Sequence, residues 1–191
     1  KPYSVYYHDI GFRGNFIRHV LAFREIKFDE PPLSALHDLA ADSSSSVTAT
    51  LFMAPPVLHD AEMDLYLSQM PAIVNHLARK LGLLPKDTLK HALGDRVLHD
   101  CNDVINEITL NCGAAMWRNP QQWTKFRDNR LLKWLRILEQ TGKTQGLGES
   151  QGYYLGTPTT TVADLAVFSL LWTMRQGLPA LQHFLSKAVP H

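Results

Sequence analysis

"YSVYYHDIGFRGNFIRHVLA", Tyr3 to Ala22, changes its period partway through. Tyr3 to Tyr7 are aromatic and β-branched and read as a strand. Gly11 and Gly14 mark a loop, and after it Ile17, Val20, Leu21 and, less strictly, Phe23 recur at helical spacing. A strand feeding a helix through a glycine-containing loop opens an α/β unit. Its last residue, Tyr7, stands where such folds present a side chain to a ligand, although a strand-end tyrosine taken alone is more often a packing residue.

Outward from this unit the first eighty residues keep alternating in type. "IKFDE" (Ile26 to Glu30) reads as a second short strand ended by Pro31-Pro32, and "ADSSSS" (Ala41 to Ser46) as a polar loop. "PVLHD" and "MDLYL" form a hairpin candidate about Asp60-Ala61-Glu62. Pro71 opens a helix through Ile73, Val74, Leu77 and Leu81, which Gly82 and Pro85 stop. From Lys86 the strand signals vanish. Val97, Cys101, Val104, Ile105, Ile108 and Cys112 share one helical face; Leu131, Trp134, Leu135 and Leu138 make another. Gly142 to Gly156 reads as a glycine-rich connection. A further helix from Val162 is apolar nearly all round, which predicts a buried helix, and Thr161-Val-Ala-Asp164 gives it a capping box. The expected fold is an α/β domain over residues 1–83 followed by an all-helical domain over residues 84–191, with no internal repeat.

Composition narrows the function. The chain has 191 residues, 45% hydrophobic and 19% charged, enough apolar content for a buried core. Nineteen basic and eighteen acidic residues leave a charge of +1, and scattered Lys and Arg argue against a nucleic-acid surface. The longest nearly apolar run, "VADLAVFSLLWTM", is too short for a membrane span and contains Asp164. Two cysteines are too few for a disulfide scaffold. With no signal-peptide pattern at the start, a soluble protein of the reducing cytoplasm is expected.

Nine histidines invite a metal reading, but no His-Glu-x-x-His or Cys-x-x-Cys occurs, so no metal site is expected. Cys101 and Cys112, about three helical turns and roughly 16 Å apart, cannot bridge each other and read as buried fillers. No nucleophile elbow, phosphate loop or dinucleotide fingerprint appears.

Four segments together resemble a cytosolic glutathione transferase of the tyrosine type, as in the Pi, Mu and Sigma classes. "YYHDIGFRGNFIRHVLA" is similar to the first strand, loop and helix, with Tyr7 on the catalytic tyrosine and Arg18 on the arginine of that helix. "PPVLHD" resembles the cis-proline turn. "LSQMPAIVNHLARKLGL" resembles the Gln-Ser-x-x-Ile segment of the third helix, and "TTTVADLAVFSLL" the capped helix of the second domain. The resemblance implies a thioredoxin-like N-terminal domain, an all-helical C-terminal domain, a homodimer, and glutathione as cosubstrate for small hydrophobic electrophiles. It carries Tyr7, Arg13, Pro55, Pro56, Gln69, Met70 and Asp103 onto glutathione contacts. His8, Ile10, Phe12, Thr109, Cys112, Gly113 and Met116 fall on the electrophile pocket.

That chemistry suits a tyrosine. A free thiol titrates near about 8.5, and a hydroxyl donating to sulfur favours the anion. About 2.7 kcal/mol of preferential stabilisation lowers the thiol pKa by about two units.

This sequence departs from the family pattern in three places. Met70 replaces the serine after the motif glutamine, removing a hydroxyl contact worth about 1–2 kcal/mol, while the helix N-terminus still offers N–H groups. Counting back from Asp60 makes Pro56 the cis residue and puts Pro55, which has no N–H, where a backbone N–H holds the cysteinyl group. In the other register Pro55 is cis and Ala54 keeps that N–H. The tryptophan and lysine of the preceding loop are replaced within "ADSSSSVTATLFM". These losses weaken glutathione binding about ten- to a thousandfold. The ending "SKAVPH" leads to the expectation of an open electrophile pocket. The second reading is therefore a binding or scaffold module on a transferase fold; the third is isomerisation or peroxide reduction by the same thiolate. Gly11, near the place where Cys-type relatives carry Ser or Cys, counts against a Cys-type oxidoreductase.

Overall fold

In the computed structural model, which describes residues 1–41, 52–109, 119–148 and 152–177, the opening aromatic run forms β1 (Tyr3–Tyr6) and the following helical period forms α1 (Phe12–Phe23). Then come β2 (Phe28–Asp29), α2 (Leu33–Ala41), β3 (Val57–Asp60), β4 (Leu65–Ser68) and α3 (Met70–Lys80). The strands make one mixed sheet in the order β2-β1-β3-β4, with β2 parallel to β1 and the other pairs antiparallel. Helices α1 and α3 pack together, and α3 also meets β3 and β4. Period-two alternation puts neighbouring side chains on opposite faces. Tyr6, Val57 and Tyr66 gather with Leu36 of α2 into one buried cluster. This is a thioredoxin-like arrangement.

Helix α2 is absent from the sequence expectation, which takes Pro31-Pro32 as a stop. The prolines end β2 and also start the helix: the Pro32 carbonyl accepts from the Ala35 N–H at 3.0 Å. Buried Leu36 then supplies the apolar contact. Phe23, counted on the buried face of α1, is instead exposed. The serine run lies outside the described residues.

The chain divides after Gly82 into two units, Lys1–Gly82 and Leu83–His191. The second is helical among its described residues: α4 (Thr88–Thr109), α5 (Pro120–Lys125), a π-helical turn (Phe126–Leu131), α6 (Leu132–Thr144) and α7 (Val162–Gly177). On α4, Val97, Cys101, Val104, Ile105 and Ile108 are all buried, as their spacing predicts. The helical run around Leu131 starts earlier than its apolar face suggests. Asn119 caps it by accepting from the Gln121 and Gln122 N–H groups at 3.2 and 3.1 Å, with Pro120 in the first turn. The run continues to Thr144, so Gly142, expected to open the connection, is buried inside α6.

Half of the expected capping box is seen, with the Asp164 carboxylate accepting at the helix start while the Thr161 hydroxyl acts as a donor to it. Asp164 Oδ2 accepts from the Thr161 N–H and hydroxyl, both at 2.8 Å, and Oδ1 accepts from the Tyr154 N–H at 2.6 Å. The Val162 N–H donates to Leu83 O at 2.9 Å. Helix α7 is not buried all round: Phe168 and Trp172, one turn apart, are 49% and 42% exposed and stack with centroids 5.8 Å apart. Apolarity around a helix permits burial but does not supply a neighbour for each face.

Candidate functional site

Strand register gathers three of the predicted residues. Tyr6 pairs with Val57, and Val57 with Ser68. One step beyond this row the chain carries Tyr7 after β1, Pro56 before β3 and Gln69 after β4. Adjacent strands lie about 4.8 Å apart, so the three residues share one end of the sheet.

Tyr7 is half-buried. Its ring meets the exposed His8 edge-on at 5.5 Å, and it lies against α1 where that helix has no side chain. A methyl group on Gly14 would stand 2.5 Å from Tyr7 Cδ1 and 2.7 Å from Arg18 Nη1. Arg18 spreads its donors over the loop after Tyr7: Nη1 to Ile10 O at 3.0 Å, Nη2 to His8 O at 3.5 Å, and Nε to Glu30 Oε1 at 2.6 Å. Its guanidinium carbon is 6.0 Å from the Tyr7 ring centre. Ile10 is half-exposed. Phe12 opens α1 at φ 43°, and half-buried Arg13 follows it.

The cis peptide bond lies between Pro55 and Pro56, which selects the register with Pro56 cis. Pro55, its predecessor, carries no N–H. Gln69 holds the N-cap position of α3 at φ 71°, ψ 111°, a left-handed conformation that costs a non-glycine residue about 1–3 kcal/mol. Its exposed side chain does not cap the helix. With no cap from Gln69, the first-turn amides and helix dipole favour an anion there. Met70 is only 1% exposed. Its side chain belongs to the core, leaving its backbone as the part available at the helix start.

The other predicted residues belong to the second unit. Asp103 is exposed on α4. Thr109 is buried at the end of α4, its hydroxyl donating to Ile105 O at 2.9 Å, so that hydroxyl is already engaged. Cys112, Gly113 and Met116 lie outside the described residues. Cys101 is fully buried, and burial pushes its thiol far above the usual range. Among the described residues no group of three or more His, Cys, Asp or Glu is placed to hold a metal, and no helix is long and apolar enough to cross a membrane. Gly14 and Glu30 were not foreseen as parts of this site. Gly14, taken from the sequence as part of the loop before the helix, lies inside α1.

A family profile described as "Glutathione S-transferase, C-terminal domain" matches residues 93–191. Over 182 residues the chain is 26% identical to glutathione S-transferase alpha M14 of Sus scrofa, covering 95% of this chain and 77% of that one. It is 25% identical over 177 residues to glutathione S-transferase A of Cavia porcellus, covering 92% and 76%. The Onchocerca volvulus Pi-class glutathione S-transferase structure aligns with a TM-score of 0.77 at 24% identity, over 100% of this chain and 83% of that one. The Fasciola hepatica sigma-class structure aligns at 0.69 and 18% identity, over 95% and 83%. These two structures share the fold, and the profile covers just over half the sequence: the chain belongs to the glutathione S-transferase family.

Proposed function

We propose that this chain conjugates glutathione to small hydrophobic electrophiles, with the Tyr7 hydroxyl holding the glutathione sulfur as a thiolate. Family membership supports glutathione transferase activity in general. The observation that carries the specific reading is the register that sets Tyr7, Pro56 and Gln69 at one sheet end. The start of α3 there, which the Gln69 side chain leaves uncapped, suits the γ-glutamyl carboxylate, with Gln69 and the Met70 backbone at it and Arg13 assigned to it by the resemblance. Asp103 is assigned to the glutathione amine of a partner subunit, which makes the working form a homodimer. The working compartment is taken as the cytoplasm.

The chemistry follows from charge. Bound glutathione loses its thiol proton to solvent, and the Tyr7 O–H donates to the sulfur, stabilising the anion without acting as a base. The thiolate pair forms a C–S bond to the electrophilic carbon, and the displaced leaving group or opened double bond takes the electrons. His8, Ile10 and Phe12, on the loop that leaves Tyr7, are assigned to the electrophile.

Tyr7→Phe tests this reading. Losing about 2.7 kcal/mol of thiolate stabilisation returns the bound thiol from about 6.5 to about 8.5 and should lower turnover at pH 7 about twenty- to thirtyfold. Unchanged turnover would sink it. The buried Met70 side chain and the missing Pro55 N–H favour a second reading, a module that kept the fold and lost glutathione. Calorimetric titration decides between them. A micromolar dissociation constant supports the transferase, and no heat up to several millimolar supports the module.

A further inference from the structure

We infer that Gly14 and Arg18 form a seat that fixes the Tyr7 ring, which makes both of them positioning residues for the hydroxyl; this rests on the reading of Tyr7 above. A glycine in a helix interior ordinarily weakens the helix relative to alanine. Here the absent side chain has a use: Tyr7 Cδ1 and Arg18 Nη1 both occupy space within 2.5–2.7 Å of where a methyl group would stand. Neither can remain there beside an alanine. The ring is therefore held against bare backbone on one side and faces the guanidinium on another, 6.0 Å from its centre.

Arg18 acts through its shape. Glu30, 2.6 Å from Nε, offsets much of its charge. Its planar fork reaches a carboxylate and the carbonyls of His8 and Ile10 at once. Those carbonyls belong to the loop leaving Tyr7, so the fork sets the direction in which the chain departs from the ring. A lysine keeps the charge but has no fork and cannot hold the three acceptors in one plane.

The test compares the full chain with Gly14→Ala and Arg18→Lys, each alone and combined with Tyr7→Phe. Two quantities are read: the tyrosine ring resonances of ligand-free protein carrying labelled tyrosine, and the thiol pKa of bound glutathione from thiolate ultraviolet absorbance. In each single variant the Tyr7 resonance should move. The thiol pKa should rise by about one unit, from about 6.5 to about 7.5, which is about threefold less thiolate at pH 7. Glutathione affinity should change less than about threefold, a smaller effect than on the thiol. In the Tyr7→Phe background both substitutions should leave the thiol pKa where Tyr7→Phe alone puts it.

Unmoved Tyr7 resonances in the folded variants would overturn the seat, whatever glutathione does. A pKa change that persists undiminished in the Tyr7→Phe background would overturn it too. Moving resonances in a protein whose wild type leaves the glutathione thiol unshifted would overturn the catalytic reading, and the positioning role with it. If Gly14→Ala does not fold, Arg18→Lys carries the test, since it introduces no new atom beside Gly14.

Discussion

Asp60 Oδ2 lies 2.7 Å from Lys80 Nζ, tying the buried end of β3 to the last turn of α3. His76 Nε2 approaches the same oxygen at 2.8 Å, and the Glu62 N–H donates to the other at 3.2 Å. The carboxylate is 1% exposed, a position tolerable for a charge only because all these partners are present.

Asp60→Ala should therefore destabilise the protein by about 2–3 kcal/mol. That is less than the about 3–5 kcal/mol typical of breaking a fully buried pair, because Lys80 and His76 keep access to water. Burial pushes the Asp60 carboxyl up, but hydrogen bonds from Lys80 and His76 outweigh burial and hold it below the usual value. A depressed folded-state pKa contributes stability that is present above about pH 4 and is lost as pH falls through the folded value. Denaturant unfolding at pH 7 and at pH 3 checks both statements: the difference between wild type and Asp60→Ala should shrink in acid.

Asp164 joins two pieces of backbone, accepting from Thr161 at the start of α7 and from Tyr154 ten residues earlier. Replacing it with alanine removes a cap and leaves part-buried N–H groups unpaired, for a loss of about 2–3 kcal/mol. Thermal unfolding followed by helical circular dichroism should show the midpoint falling by several degrees. An unchanged midpoint would mean that water takes over both contacts.

Cys101 should be inert in the native protein, since burial holds its thiol far above neutral pH. In a Cys112→Ser background, a charged thiol reagent should label nothing until denaturant is added. Labelling at the rate of a free thiol would place Cys101 at the surface.

Much of the fold was legible because its signals are local. The change of period at Gly11, the hairpin about Asp60 to Glu62, the start of α3 at Pro71 and the cap at Thr161 each lie within a few residues, where side-chain spacing and backbone preference act directly. Helix α2 escaped because a double proline marks both the end of a strand and the beginning of a helix, and what keeps Leu36 in place is contact with residues distant in sequence. Exposure of Phe168 and Trp172 escaped for a similar reason: an apolar residue is buried only where another element covers it.

For the site, the sequence alone put Tyr7 at a strand end and, through resemblance, named Gln69 and the proline turn as its companions. It left open which proline is cis, and it could not show that Met70 turns inward or that Gln69 takes a left-handed backbone. It also could not show that Gly14 leaves room for the Tyr7 ring. Those are properties of strands in register and of a helix laid against a loop. They arise when segments separated by tens of residues meet, and spacing along the chain carries no record of that meeting.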